Sequence, residues 1–164
     1  MPVIRTGTAG LAEEAAKRVK IVNAISLITA ILAFTIGNVF YFFGEQWKVQ
    51  LPALIESLLF FGIILLNQER RYKLACIGVI LIHCVSALYF GILLGQLINV
   101  SLIVVCLCGT CFLVYPKARQ QIISVSATLL TMLLLELNYY FQVFQPLTMT
   151  VETQFLLRWT AIPL

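Results

Sequence analysis

Polar and ionisable side chains set inside long apolar runs each require a chemical reason. A charge at the centre of a bilayer is costly unless it is paired or reached by water. Six residues of this kind stand out: Asn38, Glu56, His83, Glu136, Tyr139 and Arg158. Glu56 lies about five residues into its apolar run, Glu136 about five residues before the end of another, and Arg158 a few residues into a third. At about 1.5 Å per helical residue, these three fall at a similar depth, in the outer third of a membrane, and Asn38 falls near the same level. Tyr139 and Tyr140 follow Glu136 at i+3 and i+4 and so share its helix face. His83 sits nearer the midplane. Two readings of this cluster stand side by side. One is a small-molecule or ion-sensing pocket open to the outside. The other is interhelical glue, in which Arg158 pairs with one carboxylate and the amides tie helices together.

Other candidate chemistry is weaker. A lone membrane histidine more often makes one interhelical hydrogen bond than binds a metal, although its titration range permits a pH-sensitive role. The five cysteines, Cys76, Cys84, Cys106, Cys108 and Cys111, all lie in apolar runs and read as small packing residues. Cys106 and Cys108 point about 200° apart on a helix, and Cys108 with Cys111 supplies only two thiols, too few for a zinc site. Gly91 and Gly95 match a small-xxx-small dimer pattern, but their place at a run's end favours a turn. The chain lacks a phosphate-binding glycine loop with lysine, a zinc-protease histidine pair, a Gly-x-Ser-x-Gly elbow and a mid-helix lysine for a retinal Schiff base. The expectation is a chain that is not an enzyme and uses no cofactor or metal.

The elements that hold these residues follow from composition. Of 164 residues, 61% are apolar and 11% charged, against about 25% charged in soluble domains. Too few polar side chains are available to cover a soluble surface, so the apolar excess must meet lipid. A bilayer core of about 30 Å needs about 20 helical residues. The runs predict an all-α, polytopic transmembrane bundle with five full spans at residues 20–43, 51–67, 72–94, 96–115 and 120–141. A sixth run, 153–164, rises only about 18 Å, and the expectation is a span cut short by truncation.

The net charge of +4 is distributed as a topology signal. Arg5, Lys17, Arg18, Lys20, Arg70, Arg71, Lys73, Lys117 and Arg119 fall on one side of the predicted spans, and only Lys48 and Arg158 fall on the other or near it. The positive-inside rule places the N-terminus in the cytoplasm. No basic stripe interleaved with aromatics suggests nucleic-acid binding. Residues 1–19 read as a cytoplasmic lead-in helix from about Leu11, with Thr8 as its cap. Tyr41, Phe42, Phe43, Trp47, Tyr139, Tyr140 and Phe141 mark the outer interface, and Tyr72 and Tyr115 the inner one.

Several segments together carry a resemblance. They are Lys17 to Asn23, Leu51 to Glu56, the basic loop Asn67 to Lys73, Tyr115 to Arg119, Leu135-Glu136-Leu137 followed by tyrosines, and Leu156 to Trp159. In these the chain resembles the N-terminal six-helix membrane domain of bacterial sensor histidine kinases and related membrane-anchored signalling proteins, including nucleotide cyclases. The resemblance implies a sensory input domain of a two-component or similar signal-transduction system, lying in the bacterial cytoplasmic membrane. Such a domain passes a helix displacement to a cytoplasmic dimer. Its expected partners are the lipid bilayer, a small-molecule ligand from the outer side and a second copy of the chain, with no nucleic acid. A small transporter or permease-like subunit and a membrane scaffold are the alternatives.

Overall fold

The computed structural model describes residues 2–44, 46–95 and 100–147. The described residues form five α-helices after a short 3-10 turn at Val3–Arg5: α1 (Glu13–Gly44), α2 (Trp47–Gln68), α3 (Tyr72–Leu94), α4 (Val100–Val114) and α5 (Ala118–Phe141). Four of them, α1, α2, α3 and α5, are long and apolar enough to cross a membrane. Their outward faces carry Leu58, Leu65, Leu81, Ile122 and many similar residues, as lipid contact requires. This is the character of a membrane protein.

One feature differs from the expected spans. Among the described residues the fourth run is a helix of 15 residues, Val100–Val114, about 22 Å long, and the helices long and apolar enough to cross a membrane number four. The run 153–164 lies outside the described residues. α1 continues unbroken from Glu13 through the first apolar run. Thr8 does not cap that helix; its hydroxyl donates to the Arg5 carbonyl at 2.8 Å.

Short connections make successive helices antiparallel neighbours. The nine basic residues opposite Lys48 therefore gather at one end of the bundle, here the basic end. Arg18 of α1 reaches the Leu113 carbonyl at the foot of α4 there, at 3.5 Å. At the opposite end α3 stops because Gly95 adopts φ 61°, a conformation open to glycine, in line with the turn expected there. The chain after α5 returns to that corner, where Leu147 N donates to Leu93 O at 2.8 Å.

The tightest pairing is α1 against α2. Buried small residues, Ser26, Ala30 and Gly37 on α1 with Ala53 and Ser57 on α2, are spaced four or seven positions apart and so share a helix face. Small side chains let helix backbones approach closely, which is how helices associate in lipid, where no hydrophobic driving force separates one helix from another. In the basic half, Val22, Phe60, Ile63, Val79 and Val114 form a packed cluster. At the other end Phe40, Val49 and Leu94 form a smaller one. α5 packs against α3 and α4, with Leu135 buried against Val104.

Candidate functional site

A cavity of about 210 Å³ lies between α1, α2 and α3, with Ile103 of α4 at its edge. Its floor is His83 together with Thr29, above the basic-half cluster, and its far wall is Phe40, Val49 and Leu94. Glu56 and Ser86 supply polar atoms on the α2 and α3 sides, and Leu32, Ala33 and Ala87 supply apolar surface. Each helix contributes through residues three to four apart, which share one helix face. On α1 this brings Thr29, Ala33 and Ile36 to the cavity; on α3 it brings His83, Ala87 and Phe90.

Glu56 sits deeper than the apolar run alone indicates. α2 begins at Trp47, four residues before the run's expected start at Leu51. The carboxyl is therefore nine residues, about 13 Å, from the helix start. Ser86 of α3 lines the same cavity. No lysine or arginine among the described residues lines the cavity.

The imidazole of His83 is held from three sides. Its Nδ1 lies 2.8 Å from the Val79 carbonyl, which can only accept, so Nδ1 carries the proton. In the neutral ring Nε2 then accepts from the Thr29 hydroxyl at 3.3 Å. Phe60 meets the ring edge-on at a centroid distance of 4.7 Å.

Against the six expected residues, the structure brings Glu56 and His83 to one cavity. Asn38 lies beyond it on α1, where Gln50 Nε2 donates to its Oδ1 at 3.3 Å and its own amide donates to Phe34 O at 2.7 Å. Tyr139 donates to Gly91 O at 2.9 Å and Gly95 O at 3.3 Å, tying α5 to the end of α3. Glu136 is exposed on α5 and lines no part of the cavity, because α5 packs on α3 and α4, away from α2. Arg158 lies outside the described residues. Among the described residues no three histidine, cysteine, aspartate or glutamate side chains converge on a point.

Polar residues that sequence reasoning did not single out form a second centre at the basic end. Asn23 and Asn67 are fully buried, and the Asn67 amide donates to Asn23 Oδ1 at 2.7 Å. The Asn23 amide in turn donates to Ile4 O at 3.2 Å and Thr6 O at 3.0 Å. The Tyr72 hydroxyl donates to Gly7 O at 2.7 Å. A Cβ on Gly7 would run into the Asn67 carbonyl oxygen, and its φ is +78°, so only glycine fits. The N-terminal segment is thus strapped against α1 at Asn23 and over the end of α2. The one available signal was an asparagine near the end of each of two consecutive apolar runs, antiparallel to each other.

The chain matches no protein-family model, no curated protein and no solved structure.

Proposed function

We propose that this chain is a membrane-embedded signal-input domain. A small molecule in the cavity beside Glu56 and His83 shifts the packing of α1 against α2 and α3. The observation that carries this reading is that α1 both lines the cavity and runs as one helix to Glu13 at the basic end. A displacement at Thr29, Ala33 or Ile36 is transmitted along a rigid rod of about 1.5 Å per residue, and the strap at residues 4–7 moves with it. Ligand acts by differential affinity for two arrangements of the bundle.

In this reading the basic end faces the cytoplasm by the positive-inside rule, and the ligand arrives from the outer half. A bacterial cytoplasmic membrane, a homodimer, a fifth full span at 96–115 and a sixth helix leading to a cytoplasmic effector belong to the same proposal, and no catalysis is assigned to this chain. Transport is less favoured, because packed apolar side chains from Val22, Phe60 and Val79 occupy the bundle on the basic side of the cavity. A permeant path would need polar lining there.

The test uses spin labels at Lys17 and Lys117, on a background with the five cysteines replaced by alanine or serine, in lipid nanodiscs. Ala87→Phe fills the cavity and stands in for an occupant. The label-to-label distance distribution is expected to shift or change its populations. An unchanged distribution with Ala87→Phe and with Ala33→Phe overturns the input-domain reading.

A further inference from the structure

A second hollow, about 440 Å³, lies between α2 and α3 on the outside of the bundle. Its rim is apolar and exposed: Leu81 is 60% exposed and Val85 57%, so this groove faces lipid. Glu56, Ser86 and Phe90 line both the groove and the inner cavity. These three side chains therefore separate the groove from the cavity. Pro52 and Tyr89 border the groove toward the end opposite the basic one.

We propose that the groove is a lateral portal through which a small lipophilic amine passes from the bilayer into the cavity, where Glu56 binds its nitrogen. The inference rests on the cavity reading above and adds the ligand class and the route.

The recognition chemistry follows from what faces Glu56. The walls are apolar, and no cationic side chain among the described residues lines either hollow. His83 Nε2 is already engaged by Thr29. A carboxyl group so placed lacks a partner of opposite charge, and isolated charge in this surrounding is strongly disfavoured. An amine completes it. Whether the proton begins on the carboxyl oxygen or on the nitrogen, the ammonium–carboxylate pair carries no net charge into the membrane, and the charge-assisted hydrogen bond is stronger than a neutral one. The cavity's size sets the rest of the ligand. An apolar protein cavity of roughly 150 Å³ holds a benzene molecule, so about 210 Å³ accommodates one ring with a short amine-bearing chain. A molecule of that kind dissolves in the bilayer as the free base, and the portal opens where it is dissolved.

The experiment uses the full chain in phosphatidylcholine nanodiscs, tritiated 2-phenylethylamine as probe and propylbenzene, of equal heavy-atom count, as competitor. Empty nanodiscs correct for partitioning. Saturable binding is expected, with propylbenzene competing only at about tenfold higher concentration or more. Glu56→Gln is expected to weaken the amine about tenfold or more, and Glu56→Asp to recover part of that loss. Ala87→Phe and Ala33→Phe, which fill the cavity, abolish binding. Val85→Trp, which fills the groove, slows association about fivefold or more while leaving the equilibrium affinity within about twofold.

Each arm has its own reverse. Absent amine binding, or equal affinity in wild type and Glu56→Gln, overturns the ligand class; the label-distance experiment judges the cavity reading independently. Binding that survives both cavity-filling variants overturns the cavity reading itself. An unchanged association rate in Val85→Trp, with cavity binding intact, overturns the lateral route alone.

Discussion

The Tyr89 hydroxyl donates to the Lys48 carbonyl at 2.9 Å, and Lys48 is the residue four before Pro52 inside α2. In a helix the Lys48 carbonyl would accept from the backbone N–H of residue 52, which proline lacks. Tyr89 of α3 supplies the missing donor from outside. Where a helix is broken by proline in lipid, a neighbouring helix commonly satisfies the freed group.

This relationship makes a coupled prediction. Tyr89→Phe is expected to lower stability by about 0.5–1.5 kcal/mol, read as thermal unfolding in detergent. In a Pro52→Ala background the helix satisfies Lys48 itself, so the same Tyr89→Phe change should have little effect. A double-mutant cycle isolates the interaction; equal costs in both backgrounds would show that Tyr89 acts only by packing.

The strap over the basic end predicts a local rather than a global defect. Gly7→Ala collides with Asn67, and Asn23→Leu deletes the amide that holds Ile4 and Thr6. Both should release residues 2–12 while α1 to α5 stay folded. Proteolysis tracks such local opening, so trypsin cleavage after Arg5 should accelerate about tenfold or more. Helical content by circular dichroism should stay unchanged. Cleavage at the wild-type rate in both variants would mean the segment is not held by these contacts.

Ser26 makes the opposite prediction. Its side chain is fully buried on the α1 face toward α2, and its hydroxyl has no hydrogen-bond partner among the described residues. A buried hydroxyl without a partner is destabilising. Ser26→Ala should therefore be neutral or raise stability by up to about 1 kcal/mol, whereas Asn23→Ala, one turn away, should lower it. A clear loss of stability in Ser26→Ala would reveal a partner for the hydroxyl.

How much was legible in the sequence depends on the kind of signal. Long apolar runs are unambiguous, because lipid demands about 20 such residues in a row, and α2, α3 and α5 follow them closely. Helix starts are less legible: Trp47 to Gln50 reads as an interfacial loop by composition, yet these residues begin α2 and lower Glu56 toward the cavity. Depth counting grouped Glu56 with Glu136 because both lie at one level. It carries no information about which helices adjoin, and α5 is turned to α3 and α4. Asn23 and Asn67 carry little signal in the sequence because each sits near basic residues at a run's end, where an amide looks solvated. Only the fold of residues 2–12 back over them makes that pair a buried one.

His83 and Thr29 form the floor of the cavity. Nδ1 of His83 faces the Val79 carbonyl at 2.8 Å and Nε2 faces the Thr29 hydroxyl at 3.3 Å, so the neutral ring should hold its proton on Nδ1. This is the less common tautomer in water, and nitrogen chemical shifts of the single labelled histidine report it directly. Thr29→Val keeps the side-chain shape and removes the donor. The proton should stay on Nδ1, since Val79 still demands it, but the Nε2 resonance should move toward that of an acceptor without a partner. In Thr29→Ser the wild-type shift should return. A proton found on Nε2 in the wild type would reverse the donor roles on the cavity floor, leaving Nε2–H as the donor to Thr29 and Val79 without a proton to accept.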